Sequence, residues 1–227
     1  MELKTALEYT QLSCLTMLSD GNAAVFRARC GDIDALVYNN RFFEVRFDGR
    51  PLIELKILEG ASALCALNGE YPIAFVKGQD LYLGDPASAR VRHIALLPAI
   101  PNRLSASADG RRVVFIAETP SEEDLWLRQQ GIIIENREVP AQVFAVDLAD
   151  GKIVALTSTP TVKKDADCSP DGTRIVYTEL SREVYGQPYC AALKMVDLAG
   201  HGTTLLDGTV RCSSPRWSPD GKQIAFL

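Results

Sequence analysis

Histidine is scarce in this chain of 227 residues: only His93 and His201 occur. A Ser-His-Asp triad needs a base within hydrogen-bond reach of its nucleophile, and neither histidine is placed for that. No G-x-S-x-G elbow is present; Gly60-Ala61-Ser62-Ala63-Leu64 comes nearest and lacks the second glycine. There is no G-x-x-x-x-G-K-[ST] phosphate loop and no G-x-G-x-x-G fingerprint, so no nucleotide site is expected. The six cysteines (Cys14, Cys30, Cys65, Cys168, Cys190 and Cys212) include no C-x-x-C pair, which argues against clustered zinc ligands and leaves buried free thiols as the default reading. No apolar run approaches the roughly 20 residues of a membrane span. The start carries Glu2, Lys4 and Glu8 among its apolar residues, unlike a secretory leader, so the expectation is a cytoplasmic protein. Lys plus Arg is 24 against 29 for Asp plus Glu, a formal charge of −5, which offers nucleic acid no basic surface. Sustained 3.6-residue periodicity is missing too, which excludes a helical solenoid.

What the chain does have is a repeat. Five tight-turn dipeptides recur: Asp20-Gly21, Asn68-Gly69, Asp109-Gly110, Asp171-Gly172 and Asp220-Gly221. Such pairs favour hairpins because Asn and Gly tolerate the positive φ of the turn. Each is followed by a β-prone triplet ending in an aromatic residue: Ala24-Val25-Phe26, Ile73-Ala74-Phe75, Val113-Val114-Phe115, Ile175-Val176-Tyr177 and Ile224-Ala225-Phe226. Three residues before each turn sits an apolar or small residue, namely Met17, Cys65, Ala106, Cys168 or Trp217. This places two of the cysteines in a repeat-equivalent core slot. Third strands are expected at Phe43 to Phe47, Asp80 to Leu83, Val143 to Asp147 and Leu193 to Asp197. Fourth strands are expected at Leu52 to Leu58, Val91 to Leu97, Ile153 to Thr157 and Thr203 to Leu206. Four strands per repeat, at turn spacings of 48, 41, 62 and 49 residues, match a propeller blade better than a sandwich.

Ser169-Pro170-Asp171-Gly172 and Pro215-Arg216-Trp217-Ser218-Pro219-Asp220-Gly221 resemble the repeats of TolB-type propellers and of the propeller in prolyl-oligopeptidase-family serine peptidases. Ser107-Ala108-Asp109-Gly110 and Leu18-Ser19-Asp20-Gly21 are weaker copies, and Val143 to Leu148 with Ala155-Leu156-Thr157 also match. The resemblance implies an all-β fold, a β-propeller of four-stranded antiparallel blades. It says little about function, because one scaffold hosts many activities.

The expected layout is a single propeller domain over 1–227, with blades near 12–58, 62–97, 104–157 and 165–206 and a partial blade at 212–227. Residues 1–8 would supply an outer strand of that last blade. About four complete blades and part of a fifth make an incomplete ring, and an open sheet edge makes self-association conceivable.

The 62-residue spacing marks an insertion at 119–140, between the second and third strands of its blade. The next repeat is also lengthened there, from Leu180 to Tyr189. Second-to-third connections all leave the same face. Trp126, Arg128, Arg137, Arg182 and Tyr185 are therefore the candidate partner-binding residues, mixing aromatic rings and charge as contact surfaces do. The alternative is a plain added hairpin, since Gly131-Ile132-Ile133-Ile134-Glu135 has strong β-propensity. No catalytic set, cofactor or metal is expected. Asp165, Asp167, Ser169 and Asp171 imitate the start of a calcium loop, but position twelve is Thr178 rather than Glu. Two functions remain open. One is a non-catalytic scaffold that binds a protein or peptide. The other is the propeller portion of a prolyl-oligopeptidase-like peptidase, with a covalently following hydrolase domain.

Overall fold

A computed structural model describes residues 10–32, 37–132, 139–180, 191–208 and 212–227. Four sheets each hold four antiparallel strands in simple sequence order. Sheet 1 is β1 (Thr10–Met17), β2 (Ala23–Asp32), β3 (Val37–Arg46) and β4 (Ile53–Glu54). Sheet 2 is β5 (Ala61–Ala66), β6 (Ile73–Lys77), β7 (Asp80–Asp85) and β8 (Arg90–Leu96). Sheet 3 is β9 (Leu104–Ala106), β10 (Arg112–Glu118), β11 (Ala141–Asp147) and β12 (Ile153–Ala155). Sheet 4 is β13 (Val162–Cys168), β14 (Arg174–Leu180), β15 (Ala191–Asp197) and β16 (Gly202–Leu206). A fifth pair, β17 (Arg216–Trp217) and β18 (Ile224–Ala225), repeats the first hairpin. This is the blade pattern expected from the sequence, and the fold is a β-propeller. The contacts divide the chain into two compact units, residues 1–93 and 94–227. No helix among the described residues is long and apolar enough to cross a membrane.

The recurring turn has a specific chemistry. Ser169 Oγ donates to Asp171 Oδ1 at 2.5 Å and accepts from the Arg174 N–H at 3.0 Å. Asp171 Oδ1 also accepts from the Thr173 N–H at 3.1 Å. Ser107 with Asp109 and Ser218 with Asp220 repeat this network. The motif therefore carries its serine and aspartate because together they satisfy the turn's inward N–H groups, while glycine takes the positive φ (69° at Gly172). The Ser169 bond, the Thr173 N–H and the Arg174 charge hold the Asp171 carboxyl below its usual range against a smaller desolvation effect. Its contribution is thus complete above the ordinary carboxylate pKa and drains away as pH falls through the lowered folded value. Ser169 is fully buried. We expect Ser169→Ala to cost about 1–2 kcal/mol, because the Arg174 N–H loses its acceptor. The urea midpoint should fall accordingly, and the gap between variant and parent should narrow in acid.

Register explains the aromatic that closes each triplet. Phe26 pairs with Phe43, Phe75 with Tyr82, and Phe115 with Phe144, and their rings stack at 5.8, 5.5 and 5.3 Å. Cross-strand aromatic pairs of this kind stabilise a sheet beyond their burial. Sheet 4 departs from the rule, because Tyr177 faces Lys194.

The first strand of a sheet also has a repeated irregularity. Cys14, Asp165 and Ser214 have φ of 54°, 53° and 51°. Each lies six residues before the turn aspartate (20 − 14, 171 − 165, 220 − 214). The register shifts between Ser13 and Thr16 and between Lys164 and Asp167 mark bulges there. In the second unit the first strands of neighbouring sheets are cross-linked at the bulged strand β13. Asp167 accepts from Ser105 Oγ at 2.8 Å and from the Trp217 N–H at 2.9 Å, joining β9, β13 and β17. Asp165 accepts from the Ser214 N–H at 3.2 Å. The acidic run that imitates a calcium loop is thus engaged in separate hydrogen bonds.

Several details differ from the sequence expectation. The fourth strand of sheet 1 is only two residues long, and Lys56–Leu58 forms a 3₁₀ turn instead of continuing it. Leu55 and Leu58 are drawn into the core there, at 5% and 0% exposure, which a flat outer strand would not achieve. Cys65 and Cys168 do fill buried slots, and burial with the Asp167 charge pushes the Cys168 thiol up to about 12. Met17, in the equivalent position, is instead 49% exposed, as are its β1 neighbours Leu12 and Leu15 at 65% and 71%. None of Cys14, Cys30, Cys65, Cys168 and Cys212 is disulfide-bonded.

Candidate functional site

The insertion at 119–140 leaves sheet 3 at the end opposite the Ser-x-Asp-Gly turns. It does not begin as a hairpin. It holds helix α1 (Glu122–Gln129). Ser121 Oγ accepts from the Asp124 N–H at 3.1 Å, and Asp124 Oδ2 accepts from the Ser121 N–H at 2.9 Å, a complete capping box. Glu122, Glu123 and Asp124 in the first turn and Arg128 in the last complement the helix dipole. Gly131, at φ 69°, ends the helix. Its N–H bonds the Arg128 carbonyl, and the Ile132 N–H reaches back to the Leu127 carbonyl at 3.0 Å, a Schellman closure. The Gly131-Ile132 start of the β-prone run is therefore a helix stop. The rest of that run, 133–135, lies outside the described residues, as does the expected outer strand at 1–8.

Helix α1 displays Leu125 and Trp126, 46% and 54% exposed, with Ile132 at its end similarly open. Arg128 is not presented alone: its guanidinium pairs with Glu118, the last residue of β10, at 2.5 Å. The other three candidates, Arg137, Arg182 and Tyr185, fall outside the described residues. Among the five, Trp126 and Arg128 are thus brought together on one short helix.

At the same end of sheets 3 and 4 lies a buried polar network that sequence reasoning missed. Lys163, on β13, has a side chain at 0% exposure. Its Nζ donates to the Thr159 carbonyl and to Thr161 Oγ1, both at 2.8 Å, and stands 3.7 Å from Glu179 Oε2. Glu179, on β14, accepts from Thr161 Oγ1 at 2.8 Å and from the Lys194 ammonium of β15. Gln142 and Thr157 extend the network: Gln142 Nε2 donates to the Thr159 carbonyl at 2.7 Å, and Thr157 Oγ1 donates to Gln142 Oε1 at 2.6 Å. Burial pushes the Glu179 carboxyl up, but bonds from Lys194 and Thr161 and both lysine charges outweigh it and hold it low. Burial presses the Lys163 ammonium below its ordinary value, with Glu179 opposing. Burial and the Glu179 charge push Tyr177 up to about 12. The one sequence signal available was Lys194 itself, standing where the other sheets place an aromatic ring.

The two histidines sit beside surface aspartates. His93 Nε2 lies 2.8 Å from Asp80 Oδ1 and its ring meets Tyr82 edge-on, while His201 Nδ1 lies 3.0 Å from Asp197 Oδ2.

No protein-family model matches the sequence, and no curated protein matches it either. Solved structures do. Acylaminoacyl peptidase of Pyrococcus horikoshii superposes with a TM-score of 0.71 at 14% identity, over 99% of this chain and 36% of that one. TolB of Acinetobacter baumannii gives 0.61 at 14% identity, over 95% and 48%. The β-propeller domain of the trilobed protease from Pyrococcus furiosus gives 0.60 at 13% identity, over 90% and 59%. The chain therefore spans only about a third of the peptidase's length (36%) and about half of TolB's (48%). At these identities the shared property is the fold: a β-propeller of the kind found in TolB and in the peptidase propellers.

Proposed function

We propose that this chain is a non-catalytic β-propeller that binds a protein or peptide through the face carrying the sheet 3 insertion. The observation behind this reading is α1, a doubly capped helix that displays Leu125 and Trp126 to solvent. Capping fixes a tryptophan on a rigid support, and exposed tryptophans of that kind serve as interface anchors. Arg128, tied to Glu118, forms the polar rim. Arg137, Arg182 and Tyr185 complete the proposed surface.

A photo-cross-linking amino acid at Leu125, in the chain produced in its own host, should yield one recurrent adduct. Trp126→Ala should weaken binding of that partner by at least about tenfold, the scale of a buried tryptophan anchor. Its melting midpoint should stay within about 2 °C of the parent, since a half-exposed side chain contributes little to folding. Unchanged affinity, or loss of the fold, overturns the assignment.

A second reading has its own support: an acylaminoacyl peptidase contains a matching propeller, and this chain covers 36% of it. On that reading the propeller belongs to a prolyl-oligopeptidase-like serine peptidase. The native gene would then encode, after Leu227, a further ~250 residues with a G-x-S-x-G elbow. A stop codon shortly after Leu227 would remove this reading.

A further inference from the structure

The first unit contains a strand edge that its own sheet leaves open. β3 pairs with β2 along its whole length, from Val37 opposite Asp32 to Arg46 opposite Ala23. On its other side β4 covers only Phe43 and Glu44, followed by one bond from the Leu55 N–H to the Phe42 carbonyl at 2.8 Å. The chain then turns away in the Lys56–Leu58 3₁₀ turn. Backbone direction alternates along an antiparallel strand, so Asn40 and Tyr38 present N–H and C=O on the same side as Phe42. Among the described residues no backbone bond reaches them from that side.

The edge is not flat against solvent. It borders a groove of about 740 Å³ lined by Asn40, Arg41 and Phe42 of β3 and by Leu55, Lys56 and Glu59 beyond β4, and the groove extends across β3 to Cys30 and Gly31 of β2. Phe42 and Leu55 of its lining are buried. Lys56 stands 3.7 Å from Glu54, whereas Arg41 is exposed and its contact among the described residues is the Phe43 ring at 5.8 Å.

We propose that this groove receives an extended peptide segment of another protein, which adds as a strand beside Tyr38 to Arg41 where β4 leaves off. Main-chain bonds to Asn40 and Tyr38 supply affinity, and an acidic side chain opposite Arg41 sets register, the logic of strand addition at a sheet edge. Antiparallel pairing of two copies through the outward groups of Tyr38 and Asn40 would set Arg41 opposite Asn39 or Val37 of the other copy, neither of them acidic, so a second copy supplies no acidic partner for Arg41. The site lies in the first unit, uses no residue of the insertion, and does not rest on the function proposed above.

The test begins with a displayed library of random linear peptides selected on the full chain. Selected peptides should carry Asp or Glu at one fixed position. A synthetic copy should slow amide exchange at Tyr38 and Asn40 by at least tenfold. Asn40→Pro deletes an N–H that points outward, which an edge strand tolerates, so it should keep the fold and weaken binding at least tenfold. Arg41→Glu should reverse the preference toward basic peptides, and it decides the matter if the proline variant misfolds. Trp126→Ala should leave this binding unchanged, which separates the site from the insertion face. Failure to select any peptide, unprotected amides, or indifference to Asn40→Pro or Arg41→Glu overturns the proposal. So does a concentration-dependent dimer that Asn40→Pro dissolves, which would give the edge to a second copy.

Discussion

Glu179→Ala should destabilise the second unit by about 3–5 kcal/mol, the range for breaking a buried ion pair from one side. The magnitude follows from what is left behind. Lys163 has no exposed side-chain surface, so its ammonium cannot turn to water, whereas Lys194 is 29% exposed and can. Thr159 and Thr161 continue to accept from Lys163, but they offer dipoles and no charge. The pH dependence gives a second readout. Glu179 is held below its ordinary value, so its contribution is complete above about pH 4.3 and fades as pH falls through the lowered folded value. Lys163 is also held below its ordinary value, so the fold disfavours its protonated form, and stability improves as pH rises from the folded value toward 10.5. Without Glu179 that alkaline gain should grow. Lys163→Met in the Glu179→Ala background should recover more than half of the loss, because an apolar side chain of similar length removes the stranded charge. Urea denaturation of parent, single and double variants measures the cycle. A loss under about 1 kcal/mol for Glu179→Ala would show that water reaches Lys163.

The sequence made the hairpins legible because their determinants are local. Asp171 and Gly172 fix a turn through bonds and φ values contained within a few residues, and the same holds at Asp109 and Asp220. Four-stranded units followed from repeating that local signal. Features set by pairing were less visible. Phe43, Tyr82 and Phe144 become partners of the triplet aromatics only once the register is known, and Lys194 is an exception only against that rule. Helix α1 is a different case. Ser121-Glu122-Glu123-Asp124 and Gly131 spell out its start and stop, but the apolar stretch Ile132 to Ile134 outweighed them as a β signal. At the candidate site, the sequence placed Trp126 on an inserted connection, and the structure leaves that residue about half exposed on α1. It could not show that Arg128 spends its charge on Glu118, since that pairing needs the helix to fold back beside β10.

The bulged first strands lead to the second large effect. Asp167→Ala should cost about 2–4 kcal/mol, because it strands two donors that belong to different sheets. Ser105 Oγ, on β9, could turn to another acceptor; the backbone N–H of Trp217, on β17, cannot. Arg216 beside it would suffer as well. Burial and the nearby Arg103 charge already press its guanidinium below the ordinary value, and Asp167 with Asp165 opposes them. Asp167→Asn separates the two contributions. Its amide oxygen can accept from one donor, but its NH₂ group then faces the other donor, so about half the loss should persist. If the carboxylate chiefly balances Arg216, a pair of substitutions, Asp167→Ala with Arg216→Met, should restore most of the stability. If hydrogen bonding between sheets dominates, the pair should remain close to Asp167→Ala alone. The geometry favours the latter, because both oxygens of Asp167 are engaged at 2.8 and 2.9 Å by groups other than Arg216. Amide exchange at Trp217, faster by at least tenfold in Asp167→Ala and not restored by adding Arg216→Met, would place the effect on that bond, and unchanged exchange would refute it.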